Sequence, residues 1–195
     1  MLAGGASRRL GGALKGLEVL GDRRVIDRVA AALQAVTPEL LLVANHPDAS
    51  RWLPGVAVAM DLHPGAGGLA GVETALSRGS DALVVAWDMP FVTPTLLSAL
   101  LSAARTHDAD VAAPESESPH GIEPFCAFYS ARILPSLSTF LSHGGGAAAD
   151  FLRDVPRLHR MPVAEVERLG DPRRFFFSVN TPADLERARA MAAAQ

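Results

Sequence analysis

The sequence predicts an α/β fold, an open, mostly parallel twisted sheet with helices on both faces, and three observations carry that prediction. Short apolar runs at Glu39–Asn45, Val56–Asp61 and Ala82–Asp88 are continuous rather than alternating, as strands covered on both faces are, and each closes on a polar residue. Helix-period stretches, Val25–Val36, Gly71–Arg78 and Pro94–Thr106, alternate with them. The 195 residues are 49% hydrophobic and 20% charged, enough to bury one core across residues 1–195 as a single domain. Ligands of such sheets sit beyond the carboxyl ends of the strands, where Asn45, Asp61 and Asp88 fall.

The elements follow in order. The helix at Pro94–Thr106 opens with Thr93 as N-cap and Pro94 at its first position. Beyond Asp110 the rhythm loosens: Val111–Pro114, Phe125–Tyr129 and Arg157–Val163 read as strands, and Leu134–Leu141 and Ala148–Arg153 as short helices parted by Gly144-Gly-Gly146. Phe175–Val179 reads as a last strand, and Thr181-Pro-Ala-Asp184 as the cap of a terminal helix. No stretch is long enough to be an interdomain linker, and no internal repeat is evident.

Charge narrows the function. Eighteen Lys and Arg against twenty-one Asp and Glu give a net charge of −3, which argues against a nucleic-acid partner, so any phosphate site is local. The apolar runs are too short for a membrane span, which needs about 20 residues. One cysteine, Cys126, and no secretory signal predict a reducing, cytoplasmic setting.

The segment Leu2-Ala-Gly-Gly-Ala-Ser-Arg-Arg-Leu-Gly-Gly-Ala-Leu-Lys15 holds four glycines, two arginines and a lysine. Glycines let backbone N–H groups converge on an anion, and the cations supply charge that suits a polyphosphate. By composition alone a basic arm without a ligand is the alternative. It is not a Walker A loop, because no Ser or Thr follows the lysine as that motif requires. Ser7 lies in no G-x-S-x-G elbow. The histidines, His46, His63, His107, His120, His143 and His159, show no zinc spacing and read as loop or surface residues. Cys126, between Phe125 and Phe128, reads as a buried small hydrophobe.

The amino-terminal segment with Lys15 resembles the LAGGxSxRxG…K signature of nucleotidyltransferases, and Gly4 and Gly5 after Ala3 resemble the molybdenum cofactor guanylyltransferase branch. The similarity continues through Asn45, Asp61, Gly68-Leu-Ala-Gly71, Trp87-Asp-Met-Pro-Phe91, Glu123-Pro-Phe-Cys-Ala-Phe-Tyr129 and Val179-Asn-Thr-Pro-Ala-Asp184. It implies a Rossmann-like, three-layer α/β/α nucleotidyltransferase fold. It also implies transfer of GMP from GTP to molybdopterin carrying molybdenum, with release of pyrophosphate. Target molybdoenzymes or other cofactor-biosynthesis proteins are the implied protein partners.

By the same resemblance Leu2, Ala3, Gly4 and Gly5 contact the nucleotide, Arg9 and Lys15 face the triphosphate, and Arg8 holds a variable position. Asn45 and Asp61 are implied nucleotide contacts, with Gly71 and Asn180 in support. Asp88 is the implied ligand of Mg²⁺, which suits a cation that takes one or two carboxylates and completes its shell with phosphate and water. On their own chemistry Asn45 and Asp61 read equally as turn residues, and Asn180 as a strand-to-helix corner.

The sequence departs from the pattern in places. Only Met1 precedes Leu2, so the first, central strand is missing most of its length; we expect unpaired ladder groups there and a natural start upstream. Leu14 stands where Asp is common, Gly68 where Pro is usual, Ser178 where a second Asn is frequent, and Trp87 is bulky beside Asp88. Three rival activities remain: another nucleotidyltransferase using CTP or a different phosphorylated acceptor, a nucleotide-binding cofactor chaperone without turnover, and a dinucleotide-dependent oxidoreductase. The last is suggested by Gly65-Ala-Gly-Gly-Leu-Ala70, which fits G-x-G-x-x-A.

Overall fold

A computed structural model describes residues 1–4, 14–118 and 120–193. After a short 3₁₀ turn at Lys15–Leu17, the order is β1 (Val19–Leu20), β2 (Arg23–Arg24), α1 (Val25–Gln34), β3 (Leu41–Val43), β4 (Ala57–Ala59), α2 (Gly68–Leu76), β5 (Ala82–Val85) and α3 (Pro94–Thr106). Then come β6 (Val111–Pro114), β7 (Cys126–Tyr129), α4 (Leu134–Ser142), α5 (Ala148–Arg153), β8 (Leu158–Met161), α6 (Val163–Leu169), α7 (Pro172–Phe175) and α8 (Pro182–Ala193).

The parallel pair β3 and β4 and the four-stranded array β5-β7-β6-β8 are joined through the amino terminus. Leu2 bridges Val43 on one side and Ala86 on the other, both in parallel. Leu2 N donates to Val85 O at 2.9 Å, Trp87 N to Leu2 O at 2.9 Å, and Ala3 N to Val43 O at 2.8 Å. Val43 N in turn donates to Met1 O at 3.0 Å. The expected unpaired centre is therefore absent: Met1–Ala3 serves as a minimal central strand and aims Gly4 at the strand-end crevice. The sheet is parallel except at β7, which runs antiparallel to both β5 and β6.

Alternation along the strands sends neighbouring side chains to opposite faces. Leu42 and Val85 join α1 and α3 in one core, while Val43 and Val84 join α2, α4 and α5 in the other. Leu33, Leu97 and Leu100 are almost fully buried, so truncating any one to Ala costs about 2–5 kcal/mol. Thr93 Oγ1 accepts from Leu96 N at 3.3 Å, the expected cap of α3. Thr181 Oγ1 accepts from Asp184 N at 3.1 Å while Asp184 Oδ2 accepts from Thr181 N at 2.9 Å, a reciprocal cap for α8.

Phe175–Val179 is not a strand. Asp171 and Pro172 start the four-residue helix α7, with Asp171 Oδ1 accepting from Arg173 N at 2.9 Å. The chain then crosses under Asp88, and Val179 N donates to Asp88 O at 2.9 Å. Three consecutive phenylalanines gave the strand reading, and the Asp-Pro helix start outweighs them. Helix α2 begins at Gly68 rather than Gly71. Arg157–Val163 divides: its strand ends at Met161 and α6 follows.

Candidate active site

A cavity of about 760 Å³ opens where the parallel strands end. Leu2, Ala3 and Gly4 form its floor, Asn45 and Asp61 one end, Gly71 its α2 wall, and Asp88 its other end. Gly5 and Arg9, both expected to contact nucleotide, lie outside the described residues.

Lys15, Asp88 and Asn180 meet in space although 165 residues separate the first from the last. Lys15 Nζ forms an ion pair with Asp88 Oδ2 and donates to Asn180 Oδ1 at 2.9 Å. Asp88 is 7% exposed, held at the end of β5 by the Trp87 and Val179 backbone bonds on either side of it. The two side-chain oxygens thus converge on one cation, an all-oxygen donor set of the hard kind that suits Mg²⁺. Among the described residues no group of three or more His, Cys, Asp or Glu gathers as a self-sufficient metal cage.

Asn45 and Asp61 are spent partly on each other. Asn45 Nδ2 donates to Asp61 Oδ2 at 2.7 Å, and Asp61 N donates to Asn45 Oδ1 at 2.8 Å, which ties the ends of β3 and β4 together. The turn role read from the sequence is therefore seen, and the clasp also lines the cavity. Burial pushes the Asp61 carboxyl above its usual range, against the pull of the Asn45 bond.

Two glycines are dictated by what packs on them. A Cβ at Gly71 would sit 2.9 Å from Leu2 Cδ2 and 3.4 Å from Asp61 Oδ1. At Gly68 a Cβ would meet the Phe125 ring at 2.3 Å, so glycine here lets Phe125 close on the cavity wall. The bulk of Trp87 is accommodated in the same way: a Cβ on Gly16 would lie 2.2 Å from its ring. Trp87 stacks on Trp52 at 5.2 Å, and Trp52 meets His46 at 5.2 Å, which stiffens the cavity beside Asp88.

The histidines are less idle than their spacing suggested. His46 lines the cavity, and its Nδ1 accepts from Asp48 N at 3.1 Å. His63 Nε2 lies 3.3 Å from Oε2 of Glu73, a carboxylate only 3% exposed that also accepts from Ser138 Oγ at 2.6 Å. His159 sits in β8 and stacks on His107 at 4.0 Å; burial and His107 hold its imidazole below the usual range. None of these pairings is marked by local sequence. Cys126 is fully buried and burial pushes its thiol far up, so it is the small hydrophobe expected. No helix among the described residues is long and apolar enough to cross a membrane.

The family model described as MobA-like NTP transferase domain matches residues 1–161. The molybdenum cofactor guanylyltransferase of Desulfosudis oleivorans is 32% identical over 193 residues, covering 97% of this chain and 93% of that protein. The crystal structure of molybdopterin-guanine dinucleotide biosynthesis protein A from Archaeoglobus fulgidus superposes with a TM-score of 0.83 at 27% identity, covering 100% of this chain and 97% of that one.

Proposed function

The chain belongs to the MobA-like NTP transferase family, and from that premise we propose that it transfers GMP from GTP to the terminal phosphate of molybdenum-loaded molybdopterin. The observation that carries the reading is the convergence of Lys15, Asp88 and Asn180 at one end of a strand-end cavity. The guanylyltransferase relatives favour GTP over CTP as the donor. They also outweigh the oxidoreductase reading: Gly65 and Gly67, both at positive φ, do lead into α2, but the family matched is a transferase.

An oxygen of the acceptor phosphate attacks the α-phosphorus of GTP, the bond from that phosphorus to the β-phosphate bridging oxygen breaks, and pyrophosphate leaves with the electron pair. The attacking phosphate is already anionic near neutral pH, so no general base is required. The chain's work is placement and charge. Lys15 exchanges Asp88 for phosphate oxygens and neutralises charge on the pentacoordinate centre and the leaving group. Leu2, Ala3 and Gly4 hold base and ribose against the floor, and Asn45 and Asp61 close the far end. Gly5 and Arg9 belong to the same reading as phosphate contacts by their place in the motif. Mg²⁺ would be held by Asp88 with Asn180 beside it, and would supply Lewis-acid stabilisation of the phosphate charge.

Reconstitution with molybdopterin, Mg²⁺ and each NTP in turn tests the proposal. Pyrophosphate release with GTP alone is the expected result. Release with CTP instead overturns the choice of base, and GTP binding without any release overturns transfer in favour of a chaperone.

A further inference from the structure

A second cavity, about 600 Å³, lies between the turn that follows β6 and the α6–α7 corner, and it shares no lining residue with the first. Ser178 lines it and Asn180 holds Lys15, and the Cα atoms of these two residues are at most roughly 7 Å apart. This places the cavity beside the transfer point, on the side of Asp88 away from the strand ends that hold Asn45 and Asp61.

Its chemistry centres on Glu123. The backbone fixes this residue at both ends, Glu123 N donating to Pro114 O at 3.0 Å and Cys126 N donating to Glu123 O at 3.2 Å. Ser116 Oγ donates to Glu123 Oε1 at 2.6 Å, and Ser118 N donates back to Ser116 Oγ at 3.1 Å, so a two-serine turn orients the carboxylate. A carboxylate has about four lone-pair sites, and Ser116 with Ser118 beside it leaves room for two further N–H donors. Phe176 and Phe177 also line the cavity, and the Phe177 ring is held by Phe91 at 6.2 Å and Arg187 at 5.3 Å. An oriented carboxylate in a cavity also lined by aromatic rings suits a flat heterocycle that presents two parallel N–H groups on one edge.

We propose that this cavity binds the pterin ring of the acceptor, with Glu123 reading its 2-amino-4-oxo edge through paired N–H···O bonds. The inference rests on the acceptor named above. Guanine carries the same edge, but the proposed placement of its base against Leu2, Ala3 and Gly4 assigns it to the first cavity. Ser178 then lines the passage between acceptor ring and reacting phosphate.

The probe is pterin itself, titrated by its fluorescence into the protein with saturating GTP present, against lumazine, in which an oxo group replaces the 2-amino group. The expected result is that pterin binds, that lumazine binds at least about tenfold more weakly, and that Glu123→Gln weakens pterin by a similar factor with its GTP affinity and melting temperature kept, since each such pairing contributes about one power of ten. Ser116→Ala, which loosens the carboxylate without removing it, should give a smaller loss in the same direction. Failure of the wild-type protein to bind pterin overturns the inference, as does equal binding by Glu123→Gln, or displacement of pterin by GTP in a competitive manner. Because the titration needs no turnover, an absence of pyrophosphate release would count against the proposed reaction and leave this result standing.

Discussion

The two rims of the sheet handle carboxylates in opposite ways. Where β6 and β8 begin, Asp108 and Asp110 face Arg132 and Arg157: Arg157 Nη2 lies 2.8 Å from Asp110 Oδ1, and Arg132 Nη1 lies 2.7 Å from Asp108 Oδ1. Arg132 beside Asp108, and Arg157 beside Asp110, hold both acids below the usual range. Where the strands end, Asp61 and Glu123 have neutral partners, Asn45 and Ser116, and burial holds both above it. One rim matches charge with charge and closes the fold. The other pairs Asp88 with Lys15 but leaves Asp61 and Glu123 partly desolvated with neutral partners alone, which costs stability and keeps those two available to a ligand.

Substitution at Asp88 makes the sharpest break in that contrast. Asp88→Asn should lower kcat by about 10²–10³, the loss typical when one preorganised electrostatic partner is removed. Its melting temperature should stay within about 2 °C of the wild type, because Asn still accepts from Lys15 and adds no volume. Parallel loss of melting temperature and rate would mean that this rim is structural after all. The Gly16–Trp87 contact comes next in size. Gly16→Ala drives a Cβ into the indole and should cost about 1–3 kcal/mol by overpacking. In a Trp87→Leu background the same change should cost much less, and a denaturation cycle over the four proteins reads the coupling directly.

What the sequence made legible follows from whether its signal is local. The runs ending at Asn45, Asp61 and Asp88, the Thr93 cap and the Thr181–Asp184 box are each written within a few residues, and all are present. The resemblance gives Lys15 and Asp88 separate roles at one triphosphate, and the structure brings the two side chains into contact. The fit of Gly16 under Trp87, of Gly68 under Phe125 and of His63 against Glu73 depends on residues brought together from distant elements, and nothing local marks either partner. The reading failed outright at Phe175–Val179, where apolar composition hid a helix start.

Acid titration sharpens the comparison at the opposite rim. Asp110 is depressed in the folded chain, so the folded state releases its proton at a pH where the unfolded chain still binds it. Its contribution is therefore complete above the ordinary carboxylate range and fades as pH falls through that range towards the folded value. Asp61 and Glu123 have the reverse sign: they favour the folded state when protonated, and that contribution is lost as pH rises through their raised values. Asp110→Asn should lower the melting temperature by a few degrees at neutral pH and flatten its decline towards acid, with turnover unchanged. An acid limb as steep as that of the wild type would show that the arginine network does not set it.

The smallest effect belongs to the tether behind the nucleotide cavity. Leu62 N donates to Thr74 Oγ1 at 3.0 Å and His63 pairs with buried Glu73, so the loop that carries Gly65 and Gly67 into the cavity is fastened to α2 at two consecutive residues. The His63 side chain is 48% exposed, and a pair of that kind contributes at most about 1 kcal/mol. His63→Ala should therefore raise the KM for GTP by no more than about fivefold, leaving kcat and the melting temperature nearly as they were. The split matters more than the size. A loop that only shapes the ground-state pocket changes KM alone, whereas an equal fall in kcat would place it against the reacting phosphates and extend the chemically committed rim from Asp88 round to α2.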